Sequence, residues 1–249
     1  MAGHSKFKNI MHRKGAQDKK RSKIFSKLGR EITVASREGG SDPDNNIRLR
    51  SAILNAKSLN MPKSNIERAI QKGETNDPES NYEPVRYEGY GPSGVAIIVE
   101  TMTNNKNRTA SEIRSTFTKY GGNLGETGSV SYNFEHLGLI NVKKENIKEE
   151  DLFEFVIENK SIDFEVNDDY YGIYCDVKDL HTLNLKINKK FETSNSTELV
   201  WKSKNSIDLN NENNENLFKI INSLEENEDV QSVSSNYDVS DEQMKKFTL

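Results

Sequence analysis

The first thirty residues constrain this chain most, because they are too polar and too basic to supply a hydrophobic core. They contain ten Lys and Arg and one acidic residue, while the whole chain carries a formal net charge of −4 at pH 7. A cationic segment on an acidic protein attracts polyanions locally, and the abundant polyanions of a cell are nucleic acids and anionic membranes. The sequence therefore predicts a polyanion-binding N-terminal segment attached to separately folded parts.

Charge is divided unevenly along the chain. Residues 1–73 hold 17 Lys and Arg against 6 Asp and Glu, whereas residues 74–249 hold 18 against 33. All ten Arg lie at or before Arg114, and the planar guanidinium of Arg suits paired hydrogen bonds to phosphate. This distribution assigns anion binding to the N-terminal half, although a general loss of Arg codons in the genome would give the same trend.

The supply of apolar residues is low. Hydrophobic residues make up 33 % of the chain, and adding the 15 Gly leaves the total below the ~45–50 % of typical globular domains. Several small cores are therefore expected rather than one large core. The longest apolar run, residues 95–99, is too short to span a bilayer, and the single Cys175 excludes a disulfide framework. We expect a cytoplasmic protein with no membrane partner.

The N-terminal third predicts a basic arm followed by a helical domain. Residues 1–20 lack regular apolar spacing, whereas apolar residues recur at three- and four-residue steps through residues 21–76. Ser22 is the predicted N-cap of the first helix, Pro43 opens the second helix, and Gly73 ends the third. The three predicted helices cover residues 22–38, 43–59 and 62–72.

After a short polar linker the pattern changes to strands and helices. Residues 82–134 predict strand, strand, helix and strand, with a capping box at residues 109–112 and the last strand at residues 129–134. Residues 137–203 follow the β-α-β-β-α-β order of ferredoxin-like domains. A further helix and strand within residues 212–237 complete the earlier block. We therefore predict an α+β multi-domain fold in which a ferredoxin-like third domain is inserted into the second.

This interpretation sets the domain boundaries. The predicted parts are a basic arm at residues 1–20, a helical domain at residues 21–76, an α+β domain at residues 82–135 plus 208–240, and an inserted ferredoxin-like domain at residues 136–206.

The basic segment carries the predicted nucleic-acid-binding residues. Its Lys and Arg side chains neutralise phosphates and release counterions, Phe7 supplies a ring that can stack on a base, and His4 and His12 can contact phosphate or a base. Arg108 is a weaker second contact candidate. The complete predicted set is His4, Lys6, Phe7, Lys8, His12, Arg13, Lys14, Lys19, Lys20, Arg21, Lys23, Lys27, Arg30 and Arg108.

Three stretches resemble one protein family. Residues 1–32, residues 87–100 (YEGYGPSGVAIIVE) and residues 120–134 (YGGNLGETGSVSYNF) are similar to the YebC/PmpR family, which has translational activators among its mitochondrial relatives. Phe7 stands where the family often has Trp, and Gly29 stands where an apolar residue is usual. The resemblance implies a helical domain followed by two α+β domains, one inserted in the other. Because the motif starts at Met1 without preceding sequence, it favours a bacterial cytoplasmic protein.

The resemblance also implies a non-enzymatic regulator, and the residues agree. The G-x-G-x-x-G run at residues 89–94 precedes a β-rich segment rather than a helix, so we expect a structural turn and no dinucleotide site. No metal-spaced cluster or catalytic set is apparent, and the acidic runs at residues 149–151 and 225–229 are interpreted as solvated faces. We predict no catalytic residue, no metal and no cofactor.

Two hypotheses about the polyanion remain open. The family label favours a DNA-binding transcriptional regulator. Its second and third helices would then form a helix-turn-helix whose groove-facing residues are Lys63, Asn65, Arg68 and Lys72, although the same residues suit the solvent side of a bundle. The alternative is a ribosome-associated translation factor whose arm contacts rRNA. The sequence favours a monomer but leaves the choice between DNA and RNA open.

Overall fold

The computed structural model describes residues 17–75, 77–144, 147–193, 195–208 and 211–238, with the backbone alone described for residues 17–20, 211–214 and 238. These residues form a three-helix bundle, two four-stranded sheets with helices on one face, and a short two-stranded parallel pair. The predicted α+β class is confirmed, while the domain boundaries stay predictions. Among the described residues, no helix combines the length and the apolar character needed to cross a bilayer.

The elements follow one another along the described chain. The helices are α1 (Gln17–Gly39), α2 (Ile47–Ser58), α3 (Lys63–Glu74), α4 (Lys106–Lys119), α5 (Glu149–Glu158), α6 (Leu180–Phe191) and α7 (Asn211–Glu226). The strands are β1 (Glu83–Tyr90), β2 (Ala96–Thr103), β3 (Asn123–Leu124), β4 (Phe134–Lys143), β5 (Asp163–Val166), β6 (Tyr170–Asp176), β7 (Ser196–Ser203), β8 (Ile207–Asp208), β9 (Val230–Ser235) and β10 (Tyr237–Asp238).

Helices α1, α2 and α3 form the helical bundle, with Ile32, Leu49 and Ile66 in its core. Two of its helix starts differ from the prediction. Because α1 begins at Gln17, Ser22 lies inside the helix instead of capping it. Because the Asn46 side chain accepts a hydrogen bond from the Leu49 amide at 3.0 Å, α2 begins after Asn46 and leaves Pro43 in the preceding turn.

Gly73 does not end α3 but lies buried inside it, against α1. A Cβ atom at this position would come within 2.6 Å of the Thr33 carbonyl oxygen and of the Ser36 Cβ. At the same crossing, the hydroxyls of Thr33 and Ser36 each donate to a carbonyl of α3, Ala69 and Ile70 respectively, at 3.0 Å. The glycine therefore serves a close helix–helix approach rather than a helix stop.

The middle unit consists of the antiparallel sheet β3-β1-β2-β9 with helices α4 and α7 on one face. Its central strand β2 is buried on both sides. Ile97 and Val99 face the two helices, whereas Ile98 packs against Val130 and Phe134 on the other side. This double burial explains the apolar run at residues 95–99, since a strand covered on both faces cannot alternate with polar residues.

The inserted unit consists of the antiparallel sheet β5-β6-β4-β7 with α5 and α6 on one face, and all of it lies in sequence between β3 and β9. Its strand order matches the split β-α-β arrangement that the sequence predicted. Ile140, Ile173, Leu152 and Ile187 form the centre of its core.

The predicted strand at residues 129–134 is wrong. Ser131–Asn133 forms a short 3-10 helix, and β4 begins only at Phe134. The buried Glu88 carboxylate accepts hydrogen bonds from the amides of Val130 and Ser131, both at 2.9 Å, so these amides are occupied by a side chain rather than by a strand. Burial opposes ionisation of Glu88, but hydrogen bonds from the backbone outweigh it and lower the pKa.

Strand β7 connects the inserted unit to the other two parts. The Asn55 side chain of α2 donates to the Thr197 carbonyl at 2.5 Å and accepts from the Thr197 amide at 3.0 Å, so it occupies the edge of β7 as a neighbouring strand would. Trp201 of β7 donates to the Glu100 carboxylate at 2.9 Å, and the Arg86 guanidinium lies 4.3 Å from its ring centroid.

Two glycine substitutions should change stability in opposite directions. Gly29→Ala should raise the free energy of unfolding by up to ~1 kcal/mol, because the helical position is open and its nearest neighbour, Met61, lies 4.0 Å from the new Cβ. Gly89→Ala should lower it by about 1–3 kcal/mol, because the Cβ would lie 2.6 Å from the Asn123 carbonyl oxygen. Urea unfolding of both variants measures the change in the free energy of unfolding. A change of the same sign in both variants would contradict the packing described.

Candidate nucleic-acid interface

The structure describes about half of the predicted nucleic-acid-binding residues. His4, Lys6, Phe7, Lys8, His12, Arg13 and Lys14 lie outside the described residues. Lys19 and Lys20 lie in the first turn of α1, where the backbone alone is described. The side chains that the structure does describe are those of Arg21, Lys23, Lys27, Arg30 and Arg108.

Three of these cations form one stripe on α1. Lys23, Lys27 and Arg30 recur at four- and three-residue steps and so share one side of the helix. Leu28 and Ile32, on the opposite side, pack into the bundle core. Lys23 is exposed, Lys27 is half-buried, and the Arg30 side chain is 14 % exposed. The N-terminal end of the stripe is therefore exposed to solvent, whereas its C-terminal end lies in the contact between α1 and the middle unit.

Arg30 joins the helical bundle to the middle unit. Its Nη1 donates to the Asp229 carboxylate at 2.7 Å and to the Met102 carbonyl at 3.0 Å. Its guanidinium also lies 5.0 Å from the ring centroid of Tyr82. Arg30 is therefore fully engaged in contacts within the protein, whereas Lys23, which precedes it on α1, is exposed.

Arg108 meets the same carboxylate from α4. Its Nη2 donates to Asp229 Oδ2 at 2.7 Å, and the hydroxyls of Thr109 and Thr103 donate to the same oxygen at 2.6 and 3.1 Å. The predicted capping box at residues 109–112 is wrong, because α4 begins at Lys106 after the N-cap Asn105. Thr109 instead turns inward to Asp229, so the fold brings Arg30 and Arg108 together on one buried acid.

Sequence reasoning missed Asp229, since it ends an acidic run that was interpreted as a solvated face. The residue is 3 % exposed, and its carbonyl accepts from the Met102 amide at 2.8 Å. The one signal that could have found it is its position directly before Val230, the fully buried first residue of β9. An acid at the entry of a core strand must find partners inside the protein.

Asp229 and its four side-chain partners, Arg30, Arg108, Thr103 and Thr109, form what we call the Asp229 cluster. The electrostatics of this cluster favour the charged carboxylate. Burial opposes ionisation of Asp229, but hydrogen bonds from Thr109, Arg108 and Arg30 outweigh it and hold the pKa at about 2, against 3.8 ordinarily. The same interaction raises the pKa of the Arg108 guanidinium. The Asp229 cluster is therefore a stable ionic contact at neutral pH.

A groove of about 510 Å³ opens beside this cluster, between the bundle and the middle unit. Its lining contains the cations Arg30, Lys72 and Arg108 together with Tyr82. The same lining carries four carboxylates, those of Glu79, Glu112, Glu228 and Asp229. With cations and acids balanced in this way, the groove is not an anion pocket, and phosphate contacts are better assigned to exposed cations such as Lys72 than to the groove as a whole.

The exposed start of α1 and the outer side of α3 offer such contacts. Arg21 and Lys23 at the start of α1 are exposed and form no ion pair with another described residue. Arg21 lies 5.7 Å from the Phe25 ring, and this contact leaves the guanidinium at the surface. These two cations continue the basic segment that precedes them in sequence.

The four candidate groove-reading residues of α3 are not equivalent. Lys63 lies 3.5 Å from Glu67 in an exposed ion pair, and Asn65 is half-buried. Arg68 and Lys72 are one turn apart and exposed, without an ion pair to another described residue. Two cations at this spacing suit phosphate contacts, whereas base reading by all four is not supported by these positions.

Three further sequence features bear on chemistry: the glycine-rich run, possible metal ligands and Cys175. The G-x-G-x-x-G run ends in a short 3-10 turn (Pro92–Gly94) that connects β1 to β2, so the predicted structural turn is confirmed. Within the described part of the chain, no three His, Cys, Asp or Glu side chains are arranged to hold a metal ion. Burial raises the pKa of Cys175 to about 11, which keeps it a thiol.

The Asp229 cluster predicts an acid-dependent loss of stability. Since the pKa is about 2 in the folded protein against 3.8 ordinarily, its contribution is complete above about pH 4 and disappears towards pH 2. Asp229→Asn should therefore cost on the order of 2 kcal/mol more at pH 6 than at pH 2 in denaturant unfolding. Glu126→Gln, at an exposed carboxyl, is the control. An equal pH dependence for both variants would contradict the assignment.

Comparison with known proteins identifies the family of this chain. A family model described as the TACO1/YebC protein N-terminal domain matches residues 5–76, and another described as the TACO1/YebC second and third domain matches residues 82–237. The chain is also similar to a solved structure, the conserved hypothetical protein Aq1575 from Aquifex aeolicus. Identity is 42 %, the match covers 90 % of this chain and 93 % of that chain, and the TM-score is 0.82. The chain belongs to the TACO1/YebC family.

Proposed function

We propose that this protein is a non-enzymatic regulator of gene expression that binds nucleic acid mainly through phosphate contacts of its basic N-terminal segment. The observation that carries the proposal is the exposed start of α1, where Arg21 and Lys23 continue a run of cations and have no described acidic partner. The label of the family model over residues 82–237 is that of a transcriptional regulator, which supports a regulatory role.

The distribution of charge supports the same proposal. Arg30 and Arg108 are held by Asp229, so the candidate contact residues that can exchange partners are the exposed cations on α1 and α3. The first turn of α5, by contrast, is entirely acidic. Such a separation steers a polyanion to the bundle and away from the inserted unit.

Duplex DNA is the first candidate target, as expected for a transcriptional regulator. Arg68 and Lys72 on α3 would add phosphate contacts beside those of α1. A ribosome-associated role on rRNA is the second candidate. The observation that favours it is that Asn65, the amide among the four candidate groove-reading residues, is half-buried, which leaves α3 with cations suited to phosphate contacts and little base reading. Recognition by shape and phosphate suits a structured RNA.

Removing the two exposed cations of α1 should weaken binding in a salt-dependent way. For Arg21→Gln with Lys23→Gln, we expect roughly tenfold weaker binding to duplex nucleic acid at ~0.1 M salt, and a slope of log affinity against log salt that is smaller by about 2. The matched control changes Arg114 and Lys189 to Gln, which are exposed on α4 and α6. Fluorescence anisotropy over a salt series measures both, and equal losses in the two double variants would contradict the proposed interface.

Deleting residues 2–16 separates the two candidate targets while leaving α1 intact from Gln17. If rRNA is the target, the full chain should co-sediment with ribosomes and the deletion variant should not, and excess duplex DNA should fail to release the full chain. If DNA is the target, footprinting should show one site bound well above the non-specific level. Co-sedimentation that is unchanged by the deletion would contradict binding through the basic segment.

A further inference from the structure

An exposed apolar surface lies at one edge of the inserted unit. Phe153 and Ile157, one turn apart on α5, are 45 % and 56 % exposed, and Ile162 and Val166, beside and within β5, are 53 % and 43 % exposed. The Phe153 ring meets the Phe164 ring edge-on at 5.4 Å and so joins the helical and strand parts. We call these four exposed residues the α5–β5 patch.

The strand pattern makes this patch one continuous surface. Ile162, Phe164 and Val166 alternate along the chain and therefore project from the same face of the sheet. Phe164 is paired with Ile173, which lies in the core beneath α5 and α6. The patch therefore lies at the outer margin of the sheet face that α5 and α6 cover, beside the edge strand β5.

Among the described residues, the edge itself has no second strand partner, although one amide of β5, that of Phe164, donates to the Asp163 side chain at 2.8 Å. In the described sheet, β5 has a neighbour on one side only, β6, whereas the opposite edge strand, β7, is contacted by Asn55 of the bundle. Edge strands are commonly protected by outward charges. The two acids of β5, Asp163 and Glu165, share one cation, Lys202, so the edge keeps a net negative charge, which favours a cationic strand over an anionic one.

The charged residues around the patch favour one sign of charge in a binding partner. The helix that carries half of the patch is acidic: α5 contains five exposed acids and no Lys or Arg, and two exposed lysines, Lys148 and Lys160, lie before and after it in the chain. Three of the α5 acids line a shallow groove of about 270 Å³ on the adjoining side of α5, together with Phe155, Phe191 and one cation, Lys190. The exposed acids of this helix are Glu149, Glu150, Asp151, Glu154 and Glu158. This charge disfavours nucleic acid and favours a cationic polypeptide.

We propose that the α5–β5 patch binds a basic polypeptide segment of a partner protein, which adds to β5 as a further strand. The added strand would place alternate apolar side chains on the patch and flanking Lys or Arg side chains within reach of the α5 carboxylates. Main-chain hydrogen bonds to an open edge then supply affinity, and the apolar and cationic positions supply selectivity. This surface is separate from the nucleic-acid interface and goes beyond the proposed function.

The test uses the full chain and a defined probe, a fluorescein-labelled peptide of about twelve residues with alternating Val and Thr between Lys triplets. Anisotropy should show saturable binding that Phe153→Ser with Ile157→Ser weakens by roughly tenfold or more. Leu54→Ser with Leu185→Ser, which changes residues that are 47 % and 53 % exposed elsewhere, is the matched control and should bind normally. The same peptide with Glu in place of Lys should not bind.

A second variant keeps the proposal falsifiable if the serine variant unfolds. Glu150→Lys with Glu154→Lys changes exposed carboxylates only and should also weaken the Lys peptide. Absence of saturable binding, or equal loss in the Leu54/Leu185 control, would overturn the proposal. Sedimentation equilibrium provides the remaining outcome: a dimer that Phe153→Ser with Ile157→Ser converts to a monomer would show that a second copy covers the patch, which also overturns it.

Discussion

The buried carboxylate of Asp229 is the interaction on which the arrangement of this protein depends. It is 3 % exposed and accepts hydrogen bonds from Arg30 of the bundle and Arg108 of the middle unit. A buried acid is tolerated only when it is paired, and loss of one partner leaves an uncompensated charge. The contact therefore fixes the position of α1 against the middle unit. It thereby also fixes where the exposed cations at the start of α1 lie.

This contact also divides one run of cations into two functions. Along the same side of α1, Arg30 is a structural ion-pair partner, whereas Lys23 lies in solvent. Residues that look alike in sequence thus differ in what they can bind, because an arginine already desolvated against a carboxylate exchanges partners at a high energetic cost. Lys23, the exposed member of this stripe, remains available to phosphate.

The three parts of the molecule contact one another in pairs. Asp229 links bundle and middle unit, Asn55 and Thr197 link bundle and inserted unit, and Trp201 with Glu100 links the inserted and middle units. The basic and acidic surfaces are therefore held in a defined relation. In the function that we propose, a polyanion binds at the basic surface while the acidic, partly apolar edge of the inserted unit stays free of it.

Local spacing was enough to predict the α+β class, the three N-terminal helices and the ferredoxin-like order, since helical and strand periodicity are properties of neighbouring residues. Two of the errors lie where a distant group binds the backbone or a side chain. Glu88 takes the amides of a predicted strand at residues 129–134, and Asp229 draws Thr109 away from the predicted cap. The sequence by itself determined where cations and apolar faces lie. Only the tertiary structure decided which of those cations are buried in ion pairs, because burial depends on residues far apart in the chain.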